Sequence, residues 1–103
     1  MHQLTVLYNH PEDPAAFDKH YRDVHAPLAA KAPGLAGYTV NWCQPGPDGS
    51  KPPYHVIATL TWDTEESMKA ALRSPEFKAA GADLPNFASA GAQLIFGPTD
   101  RVV

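Results

Sequence analysis

A chain of 103 residues has room for one core and little else, and its 44% hydrophobic and 18% charged residues suit a folded globule. A formal charge of −3, with no two Lys or Arg side by side, excludes a basic surface for nucleic acid or an anionic membrane. No apolar run reaches the roughly 20 residues of a membrane span, Met1-His2-Gln3-Leu4 lacks the basic-then-apolar export pattern, and the lone Cys43 leaves no intrachain disulfide. The expectation is a single cytoplasmic domain over residues 1–103.

Gln3 to Asn9 reads as a strand with the apolar run Leu4, Val6, Leu7 and Tyr8. His10-Pro11-Glu12-Asp13-Pro14 ends it, with Asp13 as N-cap and Pro14 at the first helical position. The predicted helix runs from Pro14 to about Lys31 and is closed by Pro33-Gly34. Phe17, Tyr21, Val24 and Leu28 recur at spacings of four, three and four, so they are expected to share the face that packs on a sheet. His25 follows Tyr21 by four residues and lies on that face. Pro27 offers no N–H to the Asp23 carbonyl and disfavours helical geometry at Ala26, so a bend or break is expected there. An imidazole then points inward where the backbone is irregular.

Leu35 to Cys43 is the second strand, with Tyr38, Val40 and Trp42 on one side. Gln44 to Pro53 is dense in turn residues and reads as an exposed hairpin loop. Tyr54 to Trp62 is the third strand, with Tyr54, Val56, Ala58, Leu60 and Trp62 on one face and His55, Ile57, Thr59 and Thr61 on the other. Asp63 and Glu66 form a capping box that starts a helix burying Met68, Ala71 and Leu72. Ser74-Pro75 restarts helix, Phe77 packs, and Gly81 is expected to end it. Asp83 to Phe87 is then an irregular connector. Ala92 to Gly97 is the last strand, stopped by Pro98. The order β-α-β-β-α-β predicts a ferredoxin-like α+β sandwich, a four-stranded antiparallel sheet with both helices on one face.

Helices cover only one face of such a sheet, yet Leu7, Ile57 and Ile95 oppose the faces bearing Val6, Val56 and Leu94. The strands also supply Tyr8, Tyr38, Trp42, Tyr54, Trp62 and Phe96. Half of these aromatics on the open face would present roughly 450–750 Å², as much as the largest patch of a monomer before aliphatics are added. A two-fold homodimer through the sheet face is expected. Cover by the single long loop is the alternative.

Phe17-(x)2-His20-Tyr21-(x)3-His25-Ala26-Pro27-Leu28, followed by Pro33-Gly34-Leu35-(x)2-Tyr38, resembles the signature of the EthD family. Trp62-Asp63-Thr64-(x)3-Met68-(x)3-Leu72-(x)-Ser74-Pro75-Glu76 and Asp83-(x)2-Asn86-Phe87 resemble it too. The resemblance implies a dimeric α+β barrel of two ferredoxin-like units packed sheet to sheet. The family is named for ethyl tert-butyl ether degradation alongside an oxygenase system. Its barrel superfamily includes a muconolactone methylisomerase, cofactor-free quinone-forming monooxygenases, polyketide cyclases and haem-degrading enzymes. Residues matching His25 and Tyr38 line the isomerase pocket, but its catalytic cysteine falls near Leu60 here, so lactone isomerisation is not expected.

His25 and Tyr38 are the expected catalytic pair. A free imidazole, with a pKa of about 6.5, exchanges protons near neutral pH, and a buried phenol holds a carbonyl or enolate oxygen. The structural alternative is that His25 satisfies carbonyls freed by Pro27 and Tyr38 is plain core. Asp83 either orients an imidazole or caps the connector's turn. Trp42, Trp62 and Phe87 are expected to form apolar walls. His55 lines a pocket, binds haem iron axially, or is simply a partly buried histidine bonded to a neighbour. His20 lies about 140° from His25 around a helix, wrong for a metal pair, and is placed at the helix edge; His2 and His10 are placed in solvent. No metal or organic cofactor is required. The expected ligand is a small apolar carbonyl, aromatic or ether-derived compound, handled by a cofactor-independent oxidoreductase or isomerase. The alternatives are a ligand carrier for an oxygenase system and a haem-handling protein.

Overall fold

The computed structural model describes residues 1–103. Its strands are β1 (His2–Tyr8), β2 (Leu35–Trp42), β3 (Val56–Trp62) and β4 (Ala92–Pro98), joined in one antiparallel sheet in the order β2-β3-β1-β4. β1 pairs with β3 from His2 opposite Trp62 to Tyr8 opposite Val56, and with β4 from His2 opposite Pro98 to Tyr8 opposite Ala92. Helices lie on one face, as expected for the ferredoxin-like α+β sandwich. No helix is long and apolar enough to cross a membrane.

Strand alternation sends Leu4, Val6, Tyr8, Val56, Ala58, Leu60 and Trp62 under the helices, where all are buried. By register, Tyr38, Val40, Trp42, Leu94 and Phe96 point the same way. The expected aromatics on the open face are therefore absent: Tyr8, Tyr38, Trp42, Trp62 and Phe96 all share the helix side. Thr5, Thr39, Thr59 and Thr61 dominate the open face, around Leu7, Ile57 and Ile95. Tyr54 lies outside β3. Alternation within one strand separates two faces, but only the pairing decides which faces of different strands coincide.

α1 (Pro14–His20) opens as expected, with the Asp13 carboxylate accepting from the Ala16 N–H and Pro14 in the first turn. No break occurs at Pro27. A π-helical turn (Tyr21–His25) runs directly into α2 (Ala26–Ala29), and Ala26 is helical at φ −60° and ψ −43°. Its N–H donates to the Tyr21 carbonyl, one residue further back than in an α-helix. The irregularity forced by the missing Pro27 amide is thus taken up as a wider turn before the proline. Steps of four residues overshoot a 3.6-residue turn, and one widened turn cancels that drift. The inward face is consequently Phe17, Tyr21, His25 and Ala29, all buried, while Val24, expected inside, is 41% exposed.

α3 (Glu65–Leu72) is capped by Thr64, whose hydroxyl accepts from the Ser67 N–H, instead of by Asp63. Thr64 holds the extended backbone just before the first helical residue, which is where a side-chain cap reaches inward. α4 (Pro75–Phe87) begins at Ser74 as expected, the Ser74 hydroxyl accepting from the Phe77 N–H. It then passes through Gly81 and Pro85. Gly81 does not take the positive φ that ends helices, and Ala80, Asp83 and Phe87 are buried along one face. That packing offsets the roughly 3 kcal/mol cost of an interior proline. Asp83 to Phe87 is therefore the last turn of a helix and not an irregular connector. His10, expected in solvent, donates from Nε2 to the Pro52 carbonyl at 2.7 Å and ties down the proline-rich loop.

Candidate functional site

The inward face of the π turn and the end of α4 meet over β1. His25 Nδ1 lies 3.0 Å from Asp83 Oδ2. A carboxylate only accepts, so the geometry assigns the imidazole proton to Nδ1 and leaves Nε2 with its lone pair. Nε2 stands 3.4 Å from the Tyr8 hydroxyl, a long donation that a ligand can replace. Asp83 also accepts from Asn86 Nδ2 at 3.1 Å and from His20 Nε2 at 2.9 Å. The His25 and Asp83 side chains are 7% and 6% exposed. Phe87 lies against both imidazoles, its ring centre 4.7 Å from that of His25 and 5.0 Å from that of His20.

His25 lines a narrow cleft between the sheet and the helices, with a cavity volume of about 60 Å³. Twelve of its fourteen lining residues are hydrophobic, so its chemistry comes from His25 and the phenols of Tyr8, Tyr21 and Tyr38. The Tyr21 and Tyr38 hydroxyls are 2.6 Å apart. Gly81 and Leu94, both exposed, place the mouth between α4 and β4.

Burial pushes the His25 imidazole below its ordinary value, and the hydrogen bond to Asp83 offsets only part of that. Burial acts to raise the Asp83 carboxyl, but donation from Asn86, His20 and His25 together holds it below the usual range. Burial pushes the phenols of Tyr8, Tyr21 and Tyr38 up. At neutral pH the cleft thus presents a neutral, carboxylate-backed imidazole beside phenols that stay protonated. It holds a base and neutral donors, and no Lys or Arg lines it.

The sign of the His25 shift sets a pH dependence. Below the ordinary histidine value of about 6.5 the unfolded chain takes up a proton that folded His25 resists, so stability is intact above that pH and falls as pH drops through the folded value. Urea unfolding of wild type and His25→Gln at pH 8 and pH 5 isolates this contribution. The wild-type midpoint is expected to drop further on acidification than the variant's. A smaller drop in wild type contradicts a neutral buried imidazole.

Of the expected site residues, His25 and Tyr38 line the cleft and Asp83 holds His25. Tyr38 bonds Tyr21, while Tyr8 is the phenol at His25. Phe87 supports the imidazoles without lining the cleft. Trp62 is 0% exposed, its Nε1–H donating to the Pro33 carbonyl at 3.0 Å, and is core instead of cleft wall. Trp42 meets Tyr21 edge-on and carries the Arg22 guanidinium 4.1 Å above its ring. His55 does not line the cleft; its Nε2 donates to Asp18 Oδ1 at 2.7 Å, the partly buried histidine bonded to a neighbour. Tyr8, Tyr21 and His20 were not anticipated as site residues. The four-residue step from Tyr21 to His25 was the available signal for Tyr21, and the parity of Tyr8 with Leu4 and Val6 was the signal for Tyr8. No group of three or more His, Cys, Asp or Glu is arranged to hold a metal ion.

The EthD domain matches residues 9–91 of the chain. An uncharacterized 11.0 kDa protein from the thcB-thcC intergenic region of Rhodococcus erythropolis is 37% identical over 103 residues, 100% of this chain and 99% of that one. An EthD family protein of Bacillus halodurans, solved by crystallography, is also 37% identical and superposes with a TM-score of 0.89 over 97% of this chain and 99% of that chain. SnoaB, a cofactor-independent oxygenase from Streptomyces nogalater, shares 17% identity and a TM-score of 0.68 over 99% and 94% of the two chains. A dimeric ferredoxin-like protein of Thermobifida fusca shares 16% and a TM-score of 0.71 over 95% and 90%. The last two show a common fold alone. With the domain match spanning most of its length and full-length relatives at 37% identity, this chain belongs to the EthD family.

Proposed function

We propose that this protein binds a small, neutral, apolar carbonyl or aromatic compound in the cleft and transforms it by proton transfer at His25, without an organic cofactor. The single observation that carries this reading is the buried His25–Asp83 pair, which leaves the Nε2 lone pair turned to a cleft that holds three phenols in an otherwise apolar lining. In the step, a substrate C–H or O–H bond breaks, its proton bonds to Nε2, and the electron pair stays on the substrate as an enolate or phenolate. Asp83 stabilises the imidazolium, and the protonated phenols of Tyr8 and Tyr38 donate to the developing oxyanion. Return of the proton to another atom gives an isomerase. Reaction of the anion with dioxygen as oxidant gives an oxygenase, the activity of SnoaB, which has this fold.

The test offers cyclic 1,3-diketones and hydroquinones and follows hydrogen–deuterium exchange and oxygen uptake. Wild type is expected to accelerate one of them and His25→Gln to lose the acceleration. Equal rates in both proteins refute the base assignment. Saturable binding with no exchange or uptake by wild type favours the carrier reading, which the apolar lining also supports.

The proposed working unit is a homodimer. On edge strand β4, Ile95 is 52% exposed on the open face, beside Leu7 and Ile57 and an unpaired strand edge, and a second copy covers this face and edge together. The dimeric T. fusca protein has the same fold. Sedimentation at micromolar concentration is expected to give a dimer for wild type and a monomer for Ile95→Lys/Phe96→Glu. A stable wild-type monomer overturns the assembly.

A further inference from the structure

Asp83 serves two imidazoles that face different surroundings. His25 lines the apolar cleft, whereas His20, its side chain 27% exposed, lines a separate polar cleft with Glu12, Asp13, Asn86 and Ser89. Five residues apart and bracketing most of the π turn, the two rings converge on one carboxylate from α4, with Phe87 packed against both. The geometry points to His20 as a positioning residue for His25: through the Asp83 carboxylate, protonation in the polar cleft sets the basicity of Nε2 in the apolar one. This rests on the base role proposed above.

A carboxylate that accepts from a neutral His20 keeps its full charge to stabilise an imidazolium at His25. A proton taken up by His20 forms a second ion pair on the same group, since its Nε2 lies 2.9 and 3.0 Å from the two oxygens. It also sets a like charge beside His25, which then holds a proton less tightly. The other groups that face them are few. Tyr8 and Tyr21 beside His25 stay neutral phenols, Asn86 carries no charge, and Glu12 and Asp13 line the cleft on the His20 side.

The test needs no substrate. Imidazole nitrogen shifts are followed by NMR against pH in wild type, His20→Gln and His20→Phe. Gln keeps an N–H donor for Asp83 but takes up no proton, and Phe removes both. In wild type the two rings are expected to show coupled, two-step curves. In either variant the His25 curve becomes a single step with its midpoint at higher pH. Independent single-step curves in wild type, or a His25 midpoint unmoved in both variants, overturn the coupling. Neither outcome touches the turnover test at His25. Loss of the base assignment there would in turn leave the NMR coupling measurable.

Discussion

Replacing His25 by Gln is expected to lower turnover about 10²–10⁴-fold with the fold intact. Gln retains an amide N–H that donates to Asp83, so the carboxylate is not left buried without this partner. What it lacks is the basic Nε2 lone pair, and no other lining residue replaces it, because Tyr8, Tyr21 and Tyr38 are held in their protonated form. Asp83→Asn is expected to act through the same atom. A neutral amide no longer stabilises the imidazolium, and its carbonyl or NH₂ can face Nδ1, so the tautomer is no longer fixed. The two variants together are expected to lose little more than the worse of the singles, since they disable one unit. Steady-state rates, with circular dichroism to confirm folding, decide this. Fully multiplicative losses would mean the two side chains work apart.

Trp62→Ala is expected to destabilise the protein by about 3–5 kcal/mol. Trp62 is 0% exposed at the end of β3, and its indole N–H holds the Pro33 carbonyl at the turn that leads into β2. Gly34, at φ +74°, brings that turn close enough that even an added Cβ would lie 3.6 Å from Trp62 Cδ1. Truncation therefore opens a cavity and releases the turn at once. Against a total stability of about 5–15 kcal/mol for a small domain, this is close to unfolding. Trp62→Phe fills much of the space and loses mainly the hydrogen bond, worth about 1 kcal/mol. Urea midpoints for the three proteins check the order. A loss under about 1.5 kcal/mol for the alanine variant would show that the indole is not core.

The π turn explains why Val24 leaves the expected inward face while His25 stays on it. A regular 3.6-residue period selects Val24 and Leu28 after Tyr21, whereas the observed face steps by fours through His25 to Ala29. Pro27 announced an irregularity there, but local sequence did not say whether the chain would break or widen. Widening won because it keeps both flanking segments packed on the sheet. Gly81 and Pro85 likewise read as stops, yet Ala80, Asp83 and Phe87 bury a common face and carry the helix to Phe87. Local stop signals of a few kcal/mol yield to burial that only appears once the sheet exists.

By itself the sequence determined the order of elements, their alternating faces, the caps at Asp13 and Ser74, and a histidine turned inward beside a backbone irregularity. These are set by neighbours within a turn or two, where spacing and side-chain chemistry act directly. The tertiary structure alone decided that Tyr8, Tyr21 and Tyr38 surround one cleft, that the strand aromatics share the helix side, and that His20 and His25 divide one carboxylate. Those groupings join residues as far apart as 58 and 63 positions. Strand register and helix rotation place them, and both are fixed by what the whole sheet and its helices can bury together.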